Sequence, residues 1–415
     1  MSKIKVFVIS DHPFSPSGVG TQTRYMIESL LETGDYSFRC FGGAIKHNDY
    51  KPQKVEKYGD DLIIYPIDGY GSQETVRSML RTERPDMLWF MTDPRFFPWL
   101  WEIEDEIRSL VPMVYYHVWD NYPYPDFNKV WYDSTDCIAC ISKVTHDIVQ
   151  NVAPEVESHY LPHAINPQFF HPLEDEEIKR MRDESGWTDK FVVFWNNRNA
   201  RRKHPGTLIF WFKKFLDKVG HENAILLMHT DPQDPNGPNL SAIIHKLGLT
   251  NGEVKFSTQK LDFPHMAALY NMADLTVNIS DAEGFGLSTL ESLSCGTPIV
   301  VNMTGGLQEQ VTNGEENFGI GIQPTSKAVI GSQDIPFIYE DRISEEDFVD
   351  ALVTMYEMTP EERKKVGILG REHVNNNYSF EKYVNSWDKL LKSIHEKYGS
   401  WDTRKNYQTW EFTDV

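Results

Sequence analysis

Short apolar runs alternate with helical segments along the whole chain, and this alternation constrains the fold more than any other feature. Strand-like runs in the first part of the chain are KVFVIS, DLIIYPI, DMLWFM, PMVYYHV and CIACIS. The segment TRYMIESLLETG has its apolar residues at helical spacing and ends on a glycine stop signal. Runs that are apolar throughout are typical of strands buried on both faces of a parallel sheet. The alternation therefore predicts an α/β fold built from βαβ units.

The pattern is interrupted once and then restarts. The segment HAINPQFFHPLEDEE, from His163, is Pro-rich and then charged, and FVVFWNN opens a second series of strands and helices. A chain of 415 residues is also too long for one ordinary core. We therefore predict two Rossmann-like doubly wound domains facing a central cleft, with ligands at the carboxyl ends of the strands. The predicted domains are 1–170 and 171–385, with a C-terminal helix or tail, 386–415, that packs back on the first domain.

Charge and hydropathy exclude several classes of protein. The formal net charge of −20 argues against a nucleic-acid-binding surface, which needs a basic footprint. No segment approaches the roughly 20 apolar residues of a membrane span. The N-terminal apolar run is too short for a signal peptide, so we expect a cytoplasmic protein.

Two further segments allow more than one interpretation. Cys137 and Cys140 form a CxxC, but a metal or redox site needs a second ligand pair or an exposed thiol, so we predict packing in a buried strand. The aromatic segment 89–101 is interpreted as a core strand followed by a helix start. A peripheral membrane contact or an acceptor contact is its alternative.

The stretch DAEGFGLSTLESLSCGTPIV places Glu283 in a loop and Glu291 in the helix that follows. We predict that this helix begins near Gly286 or Leu287. Free amides at the start of a helix and the positive end of its dipole form an anion site suited to a diphosphate. Carboxylates accept hydrogen bonds from hydroxyls, so the two acids fit the two sugars of a nucleotide sugar. The alternative is that Glu291 is a solvated helix residue and that Glu283 is an acid at the helix N-terminus, favoured there by the helix dipole.

A basic loop, WNNRNARRKHPG, supports the anion site. It brings Arg198, Arg201, Arg202 and Lys203 together in a chain that is otherwise acidic. Such clusters usually face a carboxylate or a phosphate. A solvated basic loop is the alternative.

These motifs resemble those of the retaining glycosyltransferases of family 4, which have the GT-B fold and an E-x7-E motif. Glu283 and Glu291 stand at that spacing, followed by SCGTP and TGGLQEQV. The other similar segments are SPSGVGTQTRYMIESL, LPHAINPQFFHP, NRNARRK and KFSTQKLDFPHMAALYNMADLTVNIS. The sequence departs from the family pattern at Ser17, Ala164 and His204, where glycine is usual.

The resemblance assigns roles to particular residues. It implies that Glu283 contacts the donor sugar, that Glu291 holds the ribose, and that Arg198 and Lys203 bind the diphosphate. It also implies that backbone amides bind the donor at Phe285, Gly286, Leu287 and Ser288. Gly18 and Gly20 would let the first loop approach the phosphate and the acceptor closely. His117 resembles the histidine of the family's active site that contacts the donor sugar, and a hydrogen-bonded core histidine is its alternative.

The implied function is transfer of a sugar from a nucleotide-diphosphate donor to a hydroxyl acceptor such as a glycan, a lipid or another small molecule. UDP-sugars are favoured and GDP-sugars stay open, and neither a cofactor nor a metal ion is expected. The first domain would be on the acceptor side, and the second would bind the nucleotide sugar. The alternatives are a non-catalytic scaffold that binds nucleotide sugars and a GT-B epimerase. A phosphorylase is disfavoured because no pyridoxal-phosphate segment is found. A modified DNA base as acceptor is disfavoured by the acidic charge and stays open, as does the oligomeric state.

Overall fold

The computed structural model describes residues 3–408, and the contacts divide the chain into two units. The first unit comprises Met1–Trp119, Tyr124–Ala164 and Glu381–Val415, and the second comprises Asp120–Pro123 and Ile165–Phe380. The chain changes unit a few residues before each predicted boundary. Part of the predicted tail, residues 409–415, lies outside the described residues.

The first unit is built on an eight-stranded sheet with the order β3-β4-β2-β1-β5-β6-β7-β8. All neighbouring strands pair in parallel except β3 and β4. The strands are β1 Ile4–Asp11, β2 Tyr36–Gly43, β3 Gln53–Val55, β4 Gly59–Pro66, β5 Met87–Thr92, β6 Met113–His117, β7 Cys137–Cys140 and β8 Glu157–Tyr160.

The helices of this unit connect successive strands. They are α1 Gly18–Thr33, α2 Gln73–Glu83, α3 Pro98–Trp101, α4 Glu104–Arg108, α5 Lys129–Asp133 and α6 Lys143–Val152. Helix α1 begins after Ser17, whose side chain accepts from the Gly20 amide, and it ends at Gly34, which has a φ of 81°. A left-handed glycine is the common end of a helix, as the sequence predicts here.

A C-terminal helix, α15 Phe380–Tyr398, is part of this unit from Glu381 onward. The ring of its Trp387 is fully buried, 5.7 Å from the Trp89 ring and 4.9 Å from the Tyr116 ring. The side chain of Asp388 accepts a hydrogen bond from the Tyr36 hydroxyl at 2.9 Å. The helix therefore contributes to the core beside β5 and β6.

The second unit has a six-stranded parallel sheet with the order β11-β10-β9-β12-β13-β14. Its strands are β9 Phe191–Asn196, β10 Ala224–His229, β11 Val254–Ser257, β12 Leu275–Asn278, β13 Ile299–Asn302 and β14 Gly319–Ile322. Its helices are α7 Asp175–Ser185, α8 Pro205–Val219, α9 Leu240–Leu247, α10 Phe263–Met272, α11 Leu287–Ser294, α12 Gln308–Val311, α13 Glu345–Glu357 and α14 Pro360–Asn377.

A separate antiparallel hairpin, β15 Ser326–Ile330 and β16 Ile338–Arg342, is inserted after β14. It is bound to the loop after β12, because the Asp341 amide donates to the Asp281 carbonyl at 2.9 Å. Asn302 Nδ2 also donates to the Asp341 carbonyl at 2.9 Å.

Every apolar run that the sequence marks as a strand contains a strand, so the α/β prediction is confirmed. The CxxC lies in the buried strand β7, and all four cysteines are free and buried. Most of the aromatic segment 89–101 is core, although Phe96 is 50% exposed. Within residues 3–408, no helix combines the length and the apolarity needed to cross a membrane.

Candidate active site

Glu283 lies in the loop that joins β12 to α11, and its Oε2 contacts the Nζ atom of Lys203. Asn278 Nδ2 lies 3.4 Å from the same oxygen. The side chains of Lys203 and Glu283 are only 9% and 13% exposed. Burial favours the neutral acid, but the charges of Lys203 and Arg202 outweigh it and hold the pKa of Glu283 below its usual value. Glu283 is therefore an ionised carboxylate inside the protein.

Lys203 is placed by a tight turn between β9 and α8. Residues Arg201–Lys203 form one turn of 3-10 helix, and His204 follows with a φ of 54° before Pro205 opens α8. His204 Nε2 lies 2.6 Å from Asp281 Oδ2. The turn thus ends in a left-handed residue beside a buried carboxylate.

Arg202 joins the turn that carries Lys203 to the loop that carries Glu283. Its Nη1 donates to the Ala282 carbonyl at 2.5 Å, and its own carbonyl accepts from the Asp281 amide at 3.0 Å. Two loops from neighbouring strands of the sheet are therefore joined directly next to the Lys203–Glu283 contact.

Helix α11 begins at Leu287, as predicted, and Gly286 precedes it with a φ of 94°. A β-carbon at Gly286 would lie 2.5 Å from Leu307 Cδ2, so glycine is required by both conformation and space. Leu287 and Ser288 are half-buried, and their amides lie in the first turn, where a helix supplies no acceptor. This is the geometry expected of an anion-binding helix start.

The segment TGGLQEQV, residues 304–311, packs against the loop that carries Glu283. A β-carbon on Gly305 would lie 1.9 Å from the Glu283 carbonyl oxygen, and one on Gly306 would lie 2.6 Å from Phe285 Cα. Gln310 Nε2 donates to the Phe285 carbonyl at 2.7 Å. The loop from Glu283 to Gly286 is consequently held by close backbone packing.

Glu291 is directed into the protein. The Tyr270 hydroxyl donates to its Oε2 at 2.7 Å and accepts from Asn196 Nδ2 at 2.8 Å. Burial raises the pKa of Glu291 to about 7, although the Tyr270 hydrogen bond opposes the shift. A solvated position for Glu291, the alternative from the sequence, does not describe this environment.

Arg198 is not brought into the Lys203–Glu283 contact. Its Nε donates to Asp234 Oδ2 at 2.7 Å, and its side chain is 66% exposed. Arg201 likewise pairs with Glu340, at 3.0 and 2.5 Å. The predicted diphosphate contact of Arg198 would require exchange of its Asp234 partner.

The predicted glycines of the first unit lie at the start of α1. Gly18 is its first residue, and the Gly20 amide donates to Ser17 Oγ at 3.0 Å. A β-carbon on Gly20 would lie 2.8 Å from the His12 carbonyl oxygen. The packing of its own loop therefore already requires glycine at position 20.

His117 is the last residue of β6 and is fully buried. Its Nδ1 lies 3.1 Å from the Tyr115 hydroxyl, and its Nε2 lies 2.7 Å from the Tyr132 hydroxyl. Burial lowers the pKa of His117 to about 3, so the ring is neutral. This environment matches the alternative of a hydrogen-bonded core histidine, and the donor contact stays a prediction.

Several residues of the site were not singled out as site residues from the sequence. Tyr270 and Asn196 orient Glu291, whereas Asp281 and Gln310 hold the loop around Glu283. The departure from glycine at His204 was a usable signal, because a non-glycine residue in a left-handed turn usually has a local polar partner.

The fold matches that of other solved structures. Sucrose-phosphate synthase from Thermosynechococcus elongatus superposes with a TM-score of 0.74 over 95% of this chain and 100% of that chain, at 16% identity. The HepE protein of Anabaena, in complex with UDP and glucose, superposes with a TM-score of 0.68 over 94% of this chain and 100% of that chain, also at 16% identity. The fold is GT-B.

The family comparison matches part of the second unit of this GT-B chain. Residues 177–355, which include Lys203, Glu283 and Glu291, match the family model described as "Glycosyl transferases group 1". Alpha-galactosylglucosyldiacylglycerol synthase from Streptococcus pneumoniae is 25% identical over 212 residues, which are 47% of this chain. The match spans only half the length of that relative. Together these matches support the predicted class of enzyme, the glycosyltransferases.

Proposed function

We propose that the protein is a retaining glycosyltransferase of family 4 that transfers a sugar from a nucleotide-diphosphate donor to a hydroxyl acceptor. The observation that carries the proposal is the buried contact between Lys203 and Glu283 beside the first turn of α11. A buried cation next to free helical amides can stabilise a phosphate, and a buried carboxylate can accept hydrogen bonds from a sugar.

The site would act on the charge that develops as the sugar leaves the diphosphate. Negative charge grows on the phosphate, and Lys203 with the first-turn amides of α11 would stabilise it. Each charge-assisted hydrogen bond to a desolvated phosphate contributes roughly 1.5–3 kcal/mol. The leaving group would therefore be stabilised without a covalent step by the protein.

Binding of the donor would redistribute the contacts of Lys203. Without a donor, its ammonium group contacts Glu283. The diphosphate carries more negative charge and would compete for this ammonium group, which would free the Glu283 oxygens to accept hydroxyls of the transferred sugar. Glu291, oriented by Tyr270, would hold the ribose hydroxyls.

The expected co-substrate is a nucleotide sugar, with no cofactor. Because Lys203 and the helix start supply positive charge, we propose that transfer needs no metal ion. UDP-sugars are the first donors to test and GDP-sugars the second. HepE of Anabaena, which shares the fold, was solved with UDP and glucose. A cytoplasmic location is part of the proposal.

The donor can be identified by thermal unfolding with UDP, GDP, ADP and their sugar conjugates. A nucleoside diphosphate at about 100 times its Kd stabilises the native state by about 2.7 kcal/mol, a shift of several degrees in Tm. The Lys203→Met variant should lose most of this shift. Lys213→Met, which removes a lysine paired with Asp217 on the surface of α8, should keep it.

The outcomes separate the proposal from its alternatives. No stabilisation by any nucleoside diphosphate would refute the proposal. Stabilisation without donor hydrolysis or transfer would favour the non-catalytic scaffold. Conversion of the donor into an isomeric nucleotide sugar would favour the epimerase.

A further inference from the structure

The CxxC segment contributes one thiol to a cluster that the proposed transferase does not use. Cys137 and Cys140 are three residues apart in β7, so their side chains point to opposite faces of the sheet. They cannot act together as a chelate. Each thiol must therefore be considered with its own neighbours.

Cys137 faces two potential metal ligands on the edge strand β8. Cys137 pairs with Glu157, and Ala139 pairs with His159, so both β8 side chains lie on the Cys137 face. One ligand atom each from Cys137, Glu157 and His159 lies within 4.8 Å of the other two. His159 Nε2 and Glu157 Oε1 are only 3.0 Å apart.

We propose that Cys137, Glu157 and His159 form a binding site for a divalent cation of the zinc type. Thiolate, imidazole and carboxylate are the three ligand types of zinc sites, and bonds of about 2.0–2.3 Å place tetrahedral ligands about 3.3–3.8 Å apart. Small side-chain rotations bring the three atoms into that range. On binding, the Cys137 thiol releases its proton to solvent, and a water molecule completes the coordination.

The surroundings of the three residues determine how a cation would enter the site and how tightly it would bind. Cys137 is fully buried, whereas His159 has a side chain that is 44% exposed, so a cation would enter from the His159 side. Lys397 of α15 contacts Glu157 Oε2 at 2.5 Å, on the carboxylate oxygen that does not face His159. Its ammonium group leaves Oε1 available to the cation but repels the cation, and so limits the affinity.

The test uses the full chain, freed of metal by chelation and titrated with Co²⁺. A cysteine ligand gives a thiolate-to-cobalt charge-transfer band in the near ultraviolet. We expect this band in the wild type, saturating at a single equivalent, and its loss on addition of Zn²⁺. No band in the wild type would overturn the proposal.

Matched variants assign the ligands. Cys140→Ser changes a buried thiol of the same strand on the opposite face and should keep the band, whereas Cys137→Ser should lose it. His159→Ala, at a half-exposed position that tolerates truncation, should weaken Co²⁺ binding at least about tenfold, as ligand loss typically does. An unchanged band in Cys137→Ser, or unchanged affinity in His159→Ala, would overturn the assignment.

Lys397→Gln tests the site by an expected increase in cation affinity. Removing the neighbouring positive charge should tighten Co²⁺ binding by roughly tenfold. Unchanged or weaker binding would contradict the placement of the cation next to Glu157. Because all these readouts concern the metal itself, their failure is distinguishable from a failure of the proposed sugar transfer.

Discussion

The contact between Lys203 and Glu283 puts two opposite charges where water hardly reaches them. Removing one partner of such a pair leaves a buried charge without compensation, which is more costly than removing both. The turn at Lys203 and the loop at Glu283 therefore depend on each other. The sequence suggested only that both residues contact the donor.

A double-mutant cycle measures this dependence. Lys203→Met alone should lower the free energy of unfolding by about 3 kcal/mol, because Glu283 stays buried and charged. Adding Glu283→Gln should recover part of that loss, while neither variant binds the donor as the wild type does. Chemical denaturation of Lys203→Met, Glu283→Gln and the double variant gives the coupling, and strictly additive effects would contradict a buried pair.

The raised pKa of Glu291 makes stability depend on pH. The folded protein holds the proton up to a pH of about 7, whereas an ordinary glutamate loses it near 4.5. The folded state therefore binds more protons in this window, and stability falls as the pH rises through it, by about 3 kcal/mol in total. Denaturation midpoints of the wild type between about pH 5 and pH 7 measure the fall.

Glu291→Gln is the control for this pH dependence. The amide does not titrate, so the variant should lose the contribution of Glu291 to the slope and keep any contribution from other groups. Identical slopes in the wild type and the variant would show that Glu291 is not the titrating group.

At the scale of elements, the left-handed turn at His204 sets the start of α8 and the position of Lys203. A residue with a β-carbon in this region is strained by about 1 kcal/mol, and here the Asp281 carboxylate 2.6 Å away offers a compensating partner. Glycine would remove the strain, and alanine would keep it while losing the partner.

The stability of His204 variants should therefore rank in a definite order. His204→Ala should be less stable than His204→Gly by about 1 kcal/mol. Its affinity for the donor should also be lower than that of His204→Gly. Asp281→Asn keeps the shape of the pair and serves as the control for its charge. Thermal unfolding provides the ranking, and an alanine variant as stable as the glycine variant would contradict the role of the turn.

The sequence predicted the strands better than the contacts at their ends. Continuous apolar runs such as DMLWFM and LTVNIS have one physical solution, a strand buried on both faces. The β15–β16 hairpin was missed because its residues are only partly apolar and its connection, 331–337, has no tight-turn signature.

The same limit applies to the site. The helix start at Gly286 follows from local backbone requirements and could be found in the sequence, whereas the E-x7-E spacing was recognised only by its resemblance to a family motif. The pairing of Arg198 with Asp234 and the enclosure of His117 between two tyrosine hydroxyls depend on which loops meet, and a single sequence does not carry that information.

At the scale of the whole molecule, the chain returns to its first unit at its C-terminal end. The Trp387 ring is fully buried against the rings of Trp89 and Tyr116. Helix α15 is therefore part of the core of the first unit, although it is distant in sequence from the strands of that unit. Trp387→Ala should therefore lower the stability of that unit by about 3–5 kcal/mol. Phe210→Ala, at a 41% exposed position, should cost far less, and calorimetric unfolding of both variants makes the comparison.

The proposed activity of the site around Lys203, Glu283 and Glu291 is the release of a sugar from a nucleotide-diphosphate donor. Time-resolved proton NMR of the slow hydrolysis of α-linked UDP- and GDP-sugars tests it most directly, because it follows both products and the configuration of the released sugar. We expect release of the nucleoside diphosphate by the wild type without added metal, with the α anomer appearing first, and no release by Lys203→Met. Equal hydrolysis by both proteins, or none of any donor by the wild type, would contradict it.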